Sequence, residues 1–122
     1  MLYSEYQVIY YSRTGSLKSP TKDYIYALSF KEKRKIFSYI DMICERDGKL
    51  PVPFAKHIYE KLWELRIRYG NRRHRILYFI APDRKIVLLS AFLKKSQKTP
   101  RSEIEKAYSY YIDYISYEKT SL

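Results

Sequence analysis

The chain contains one cysteine, Cys44, and two histidines, His57 and His74, in 122 residues. A lone thiol cannot close an internal disulfide, and one cysteine with two histidines gives none of the ligand spacings of a zinc site. Disulfide and zinc chemistry therefore have no residues to work with. Glycine and proline are scarce, at three and five, which excludes collagen-like and low-complexity chains. Acidic residues are also few: 13 Asp and Glu against 24 Lys and Arg leave a net charge of +11. No apolar run approaches the ~18 residues that a membrane-spanning helix needs. The opening Met1-Leu2-Tyr3-Ser4-Glu5 lacks a basic stretch followed by an apolar one, so the expectation is a soluble cytoplasmic protein without an export signal.

What is present is a globular composition, 46% apolar, with no internal repeat and no linker-like stretch. The length suits one domain over residues 1–122, able to bury on the order of two thirds of its unfolded surface. Its positive charge is concentrated. Between Arg66 and Arg101 eleven Lys or Arg accompany one acid, Asp83, whereas the other 86 residues hold 13 basic and 12 acidic side chains. Ten of the eleven net charges thus fall in 36 residues. Such a block focuses positive potential where an anion must bind, and the commonest cellular polyanion is nucleic acid. The 15 tyrosines suit base stacking, but they suit interfaces and cores equally, so their number decides nothing.

Gln7 to Tyr11 is a short β-branched and aromatic run, read as a strand that ends in a turn over Ser12-Arg13-Thr14-Gly15-Ser16. Ser19-Pro20 has the form of an N-cap with proline at the first helical position, opening a brief helix with Tyr24, Ile25 and Leu28. Ser29-Phe30-Lys31-Glu32 has capping-box spacing. A longer helix follows, with Ile36, Phe37, Ile40, Ile43 and Cys44 on one face and Asp47-Gly48 as its stop. Cys44 reads as core filler.

Beyond Pro51 and Pro53 the period changes. Trp63, Leu65, Ile67 and Tyr69 alternate with Glu64, Arg66 and Arg68, which describes a half-buried strand. Gly70-Asn71 is a two-residue hairpin signal, with Gly supplying the positive φ of a type II′ turn. With that turn, Tyr69 faces Arg72, Arg68 faces Arg73 and Arg66 faces Arg75, so four arginines share one face. Like charges directly opposite are destabilising. Either the face is an anion site, or these side chains splay into water or pair with acids from elsewhere. A slip of one residue would break the alignment. Ala81-Pro82-Asp83-Arg84 makes the next turn, and Lys85 to Phe92 is nearly continuously apolar, as expected of a central strand covered on both faces. Lys94-Lys95 follow its end. Thr99-Pro100 opens the last helix, whose core stripe is expected to be Ile104, Ala107, Tyr108, Tyr111, Ile112 and Ile115, leaving Tyr110, Tyr114 and Tyr117 on a solvated or partner-covered face.

Three segments carry a family resemblance: Leu62-Trp63-Glu64-Leu65-Arg66-Ile67-Arg68-Tyr69-Gly70, His74-Arg75-Ile76-Leu77-Tyr78-Phe79, and Phe92-Leu93-Lys94-Lys95-Ser96-Gln97-Lys98-Thr99-Pro100 with Glu103-Ile104-Glu105-Lys106-Ala107. Together with Val8-Ile9-Tyr10-Tyr11 and Ser19-Pro20, they resemble the HigB branch of the RelE/ParE toxin superfamily, the phage-derived Gp49-like proteins. The resemblance implies an α+β fold, a small curved, mainly antiparallel sheet with helices packed on one side. It also implies the toxin of a type II toxin–antitoxin system, a ribosome-dependent mRNA endoribonuclease using no cofactor and no metal. Its partners would be the ribosome, mRNA and a HigA-like helix-turn-helix antitoxin through which alone it would reach operator DNA, with no membrane involved.

That chemistry needs a base for the 2′-hydroxyl, donors for charge developing on the phosphoryl oxygens, and an acid for the leaving 5′-oxygen. Planar guanidinium groups meet two phosphate oxygens at once. Arg66, Arg68, Arg73 and Arg75 are the candidates for that role, with Arg73 and Arg75 favoured by their place in the family-like segment. Lys94 and Lys95, near other cations, are candidate bases. Arg72, Arg84, Lys98 and Arg101 are the expected additional RNA contacts. Alternation puts His74 on the face opposite the arginines, as a core or structural histidine, and His57 reads as a surface residue. The alternative function is a non-catalytic one, a ParE-like inhibitor of DNA gyrase or a nucleic-acid-binding module.

Overall fold

The computed structural model describes residues 6–13 and 16–120. Thr14-Gly15, the centre of the turn expected after the first strand, lies outside the described residues. The elements run β1 (Gln7–Tyr10), α1 (Pro20–Tyr26), α2 (Phe30–Glu45), β2 (Ala55–Tyr59), β3 (Leu62–Tyr69), β4 (Arg72–Ala81), β5 (Lys85–Leu93) and α3 (Arg101–Thr120). The strands form one sheet in the order β1-β5-β4-β3-β2. Three pairings are antiparallel and β1 pairs with β5 in parallel, so the α+β class stands and the sheet is mixed. Among the described residues no helix is long and apolar enough to cross a membrane.

The helices do not all lie on one side, contrary to expectation. Ile36, Ile40 and Ile43 of α2 pack with Ile25 of α1 on Leu65, Ile67, Ile76, Tyr78, Ile86 and Leu88. Ala107 of α3 packs on the alternate residues, Leu77, Phe79, Val87 and Leu89. The reason is in the strands. Successive side chains point to opposite faces, and β4 and β5 are apolar at successive positions, so both faces require cover. The near-continuous apolar run of β5 thus predicts the two-sided arrangement better than the family resemblance does.

Local signals explain the element ends. The Ser29 hydroxyl accepts from the Glu32 amide at 3.3 Å, capping α2. After α2, Asp47 and Gly48 take left-handed conformations (φ 59° and 86°), and the Gly48 amide donates to the Ile43 carbonyl at 2.6 Å. Glycine is required there: a Cβ would stand 2.7 Å from Cδ1 and Cγ1 of Ile80. Ser19 caps α1 through its carbonyl, which accepts from the Asp23 amide at 2.8 Å, and its side chain makes no cap bond.

Two helix expectations need correction. Thr99 does not cap α3; its hydroxyl donates to Glu64, and the Pro100 carbonyl accepts from the Glu103 and Ile104 amides instead. Ile112 is exposed, whereas Tyr114 meets Phe79 edge-on at 5.7 Å and Tyr110 stacks on Tyr11 at 4.8 Å. The buried stripe of α3 is rotated toward the tyrosines because α3 lies against a sheet face rich in aromatic and bulky residues. β2 gave no periodic signal: Ala55-Lys56-His57-Ile58-Tyr59 is a short edge strand with a bulge between His57 and Tyr59.

Candidate functional site

The β3–β4 hairpin has the register expected from its two-residue turn. Gly70 takes φ 62°, and Tyr69 pairs with Arg72, Arg68 with Arg73 and Arg66 with Arg75. Alternation then puts Arg66, Arg68, Arg73 and Arg75 on the sheet face that α3 covers farther along. They differ in burial. Arg68 and Arg73 are exposed, Arg66 is half-buried and Arg75 is only 8% exposed.

A buried acid makes this arrangement tolerable. Glu64, two residues before Arg66 on the same face, is fully buried. Its Oε1 accepts from Arg66 Nε at 3.0 Å and lies 3.8 Å from Arg75 Nε, and Thr99 donates to its Oε2. A carboxylate removed from water needs such partners, and in turn it offsets the repulsion between facing guanidinium groups. For Arg66 and Arg75 pairing with an acid is therefore part of the answer. The pairing is unequal, since 3.8 Å is too long for a hydrogen bond. Arg75 Nη1 donates to the His74 carbonyl at 3.1 Å, while Arg75 Nε is buried without a hydrogen-bond partner among the described residues.

Lys94 joins the cluster, its amide donating to the Arg73 carbonyl at 2.8 Å. Burial holds its ammonium below the ordinary 10.5, with Arg75, Arg66 and Arg73 acting in the same direction and Glu64 opposing them. Burial likewise pulls the Arg75 guanidinium down from its usual value, against the upward pull of Glu64. Lys95 follows Lys94 in sequence and is exposed.

The expected outer contacts divide. Lys98 and Arg101 are exposed on the segment that Thr99 ties to Glu64, and Arg101 pairs with Glu105 at 3.2 Å. Arg72 is not on the arginine face: its Nε donates to Glu32 Oε2 at 2.6 Å on the opposite side of the hairpin. Arg84 sits in the β4–β5 turn with its guanidinium 5.6 Å from the Tyr6 ring, about 20 Å along the sheet from Arg75 at ~3.3 Å per residue. Period two puts Arg72 on the other face of the hairpin, and strand length keeps Arg84 away from the four arginines.

His74 is fully buried beneath the arginines. Its Nε2 meets Glu32 Oε2 at 2.7 Å and its Nδ1 meets the Tyr24 hydroxyl at 2.7 Å. Burial would raise the Glu32 carboxyl, but hydrogen bonds from Arg72 and His74 outweigh it and hold the group below its usual range. Burial pushes the Tyr24 hydroxyl up to about 12, Glu32 adding to the rise and Arg72 opposing it. This network bolts the hairpin to α1 and α2, so His74 is the structural histidine its parity suggested. His57 is exposed on β2 and contacts Trp63 edge-on at 5.6 Å.

Sequence reasoning missed Glu64, Thr99 and Glu32 as members of the site and its support. Glu64 was detectable, because an acid at i−2 in a strand shares the face of Arg66. It also missed a cavity of about 360 Å³ bordered by Arg66, Arg68, Arg73 and Arg75 together with Tyr39 and Phe54.

A comparison with curated proteins finds no match. Residues 23–111, which include the hairpin, Glu64, Thr99 and Lys94, match the family described as Phage derived protein Gp49-like (DUF891). The chain belongs to this Gp49-like family, a RelE/HigB-type toxin family associated with toxin–antitoxin systems.

Proposed function

We propose that the chain is the toxin of a type II toxin–antitoxin pair and a HigB-like, ribosome-dependent mRNA endoribonuclease acting in the cytoplasm. The observation that carries this reading is the convergence of four guanidinium groups, those of Arg66, Arg68, Arg73 and Arg75, around one cavity beside Lys94. Glu64 is the acid that compensates them, and it hydrogen-bonds only Arg66 among the four. A phosphate entering the cavity would supply the missing negative charge.

In this mechanism the mRNA 2′-hydroxyl attacks the adjacent phosphorus. The bond from phosphorus to the 5′-oxygen breaks, leaving a 2′,3′-cyclic phosphate on one fragment and, once the departing 5′-oxygen has taken a proton from solvent water, a 5′-hydroxyl on the other. Arg73 and Arg75 hold the non-bridging oxygens, where bidentate guanidinium contacts suit the charge of the phosphorane. Arg66 and Arg68 raise the local positive potential. Lys94 takes the 2′-hydroxyl proton, since its lowered affinity for protons increases the fraction of neutral amine near neutral pH. Lys95, Lys98 and Arg101 contact the flanking backbone. The inhibiting partner is a HigA-like antitoxin of complementary charge, which also brings the complex to operator DNA.

The test is to map transcript 5′ ends after induction, with and without a start codon in a reporter. Cuts within coding regions that vanish when the start codon is lost support the reading. Intact transcripts with gyrase-linked DNA breaks move the chain to the ParE-like class, and equal cleavage of untranslated RNA removes the ribosome from the mechanism. Co-expression with the product of the neighbouring gene should restore growth and yield a stable complex.

A further inference from the structure

The cavity beside the arginines has a second kind of wall, and the catalytic reading makes no use of it. β2 pairs with β3 only from Tyr59 opposite Leu62 to Ala55 opposite Leu65. The last contact on this side is the Arg66 amide, which donates to the Phe54 carbonyl at 2.8 Å. From Ile67 to Tyr69, β3 has no neighbouring strand on that side among the described residues. The cavity of about 360 Å³ opens at this free stretch of edge, with Arg66, Arg68, Arg73 and Arg75 meeting Phe54 and Tyr39 around it.

Phe54 is held in place. Its amide donates to the Pro51 carbonyl at 2.8 Å and its carbonyl accepts from Arg66, so both sides of the residue are tied. The residue is 39% exposed, and its ring lies 6.2 Å from that of Tyr39 at an angle of 57°. An aromatic ring with fixed backbone and a free face beside several guanidinium groups has the two features that hold an unpaired nucleotide: a cationic contact for the phosphate and a π-surface for the base. Every nucleobase has a π-face, so such a wall grips a single-stranded nucleotide without needing to read its edge.

We propose that Phe54, backed by Tyr39, forms a base-stacking subsite for one unpaired ribonucleotide of the RNA whose phosphate the hairpin arginines hold. The subsite rests on the nuclease reading for its setting, and its test is independent of cleavage. It explains why the loop Pro51-Val52-Pro53-Phe54 presents an aromatic ring to solvent beside the most basic surface of the hairpin. It also assigns the arginines and the aromatic wall to different parts of the same nucleotide.

The experiment measures binding of the full-length protein to two short single-stranded oligoribonucleotides with a 2′-O-methyl at each position, which blocks the attack. One is intact and one carries a single abasic position. Variants are Phe54→Ala, Phe54→Leu, Phe54→Tyr and Arg73→Ala. The intact oligonucleotide should bind wild type about tenfold more tightly than the abasic one, the scale of one base–aromatic stack. Phe54→Ala and Phe54→Leu should erase that difference, Phe54→Tyr should keep it, and Arg73→Ala should weaken both ligands alike. Leucine retains apolar cover without a π-face, so a purely structural Phe54 would tolerate it. The subsite is overturned if Phe54→Leu behaves as wild type, if Phe54→Ala weakens both ligands equally, if wild type does not distinguish or does not bind them, or if only antitoxin binding responds to Phe54. Base-dependent binding in a chain that cuts no translated mRNA overturns the nuclease reading and leaves the subsite. Cleavage that persists without base-dependent binding does the reverse.

Discussion

Arg66 and Arg75 face one another across the β3–β4 hairpin and share Glu64 Oε1, at 3.0 Å from the Nε of Arg66 and 3.8 Å from that of Arg75. The short distance is a hydrogen bond and the long one is not. Arg66 is thereby committed to Glu64, and Arg75 is held by that carboxylate less tightly. The two facing cations are chemically alike and differently employed.

Arg73 and Arg75 should separate function from stability. Arg73 is exposed, so Arg73→Ala should abolish growth arrest while shifting unfolding by less than about 0.5 kcal/mol. Arg75 is buried beside Glu64, and Arg75→Ala should abolish arrest and also cost about 1–3 kcal/mol by leaving the carboxylate less well compensated. Growth assays at matched protein levels and thermal unfolding measure both. Full toxicity in the two variants removes the arginines from the phosphate site. Lysine at position 73 should restore only part of the activity, since a point charge does not reproduce a bidentate contact.

Glu64→Gln should shift the pH dependence of cleavage. A basic catalyst must be neutral, so the rate rises with pH through the Lys94 value, which lies below 10.5. Glu64 opposes that depression, so removing its charge lowers the Lys94 value further. The ascending limb of single-turnover cleavage should move to lower pH. A limb that stays in place or moves upward means that Lys94 is not the base.

Acid sensitivity should trace to Glu32, whose folded value lies below 4.5. A carboxyl depressed on folding contributes stability above its unfolded value and loses it as pH falls through the folded one. Glu32→Gln should therefore cost about 2 kcal/mol at neutral pH through weakened bonds to His74 and Arg72. The gap to wild type should begin to close as pH drops below 4.5 and disappear in stronger acid. Thermal unfolding of both proteins across that range measures it, and a gap independent of pH would contradict the assignment.

Gly48→Ala should destabilise the fold without touching the site. The residue has φ 86°, and an added Cβ meets Ile80 at 2.7 Å, so both backbone strain and overpacking apply, together about 2–4 kcal/mol. Phosphate-site binding by the folded fraction should match wild type. A melting temperature within error of wild type would mean that the α2 terminus can rearrange.

The amino-acid sequence by itself determined the hairpin. Gly70-Asn71 leaves two residues for the turn, so the pairing of 66 with 75 and 68 with 73 follows, and period two puts four arginines on one face and His74 on the other. It determined the α2 cap through Ser29 and the interior place of β5, between β1 and the central β4, through its near-continuous apolar run. These features depend on neighbours a few residues apart or on strict alternation. The tertiary structure alone decided the rest. Parity puts Glu64 on the face of Arg66, but its burial follows only once Thr99, 35 positions away, closes over it. Glu32 reads as half of a capping box until Arg72 and His74, 40 and 42 positions on, converge on its carboxylate. Arg72 leaves the expected RNA surface for that reason, and Phe54 reaches the arginines only because β2 stops opposite Leu65. Burial and long-range pairing depend on where helices and strand ends come to rest in three dimensions, and no local period encodes that.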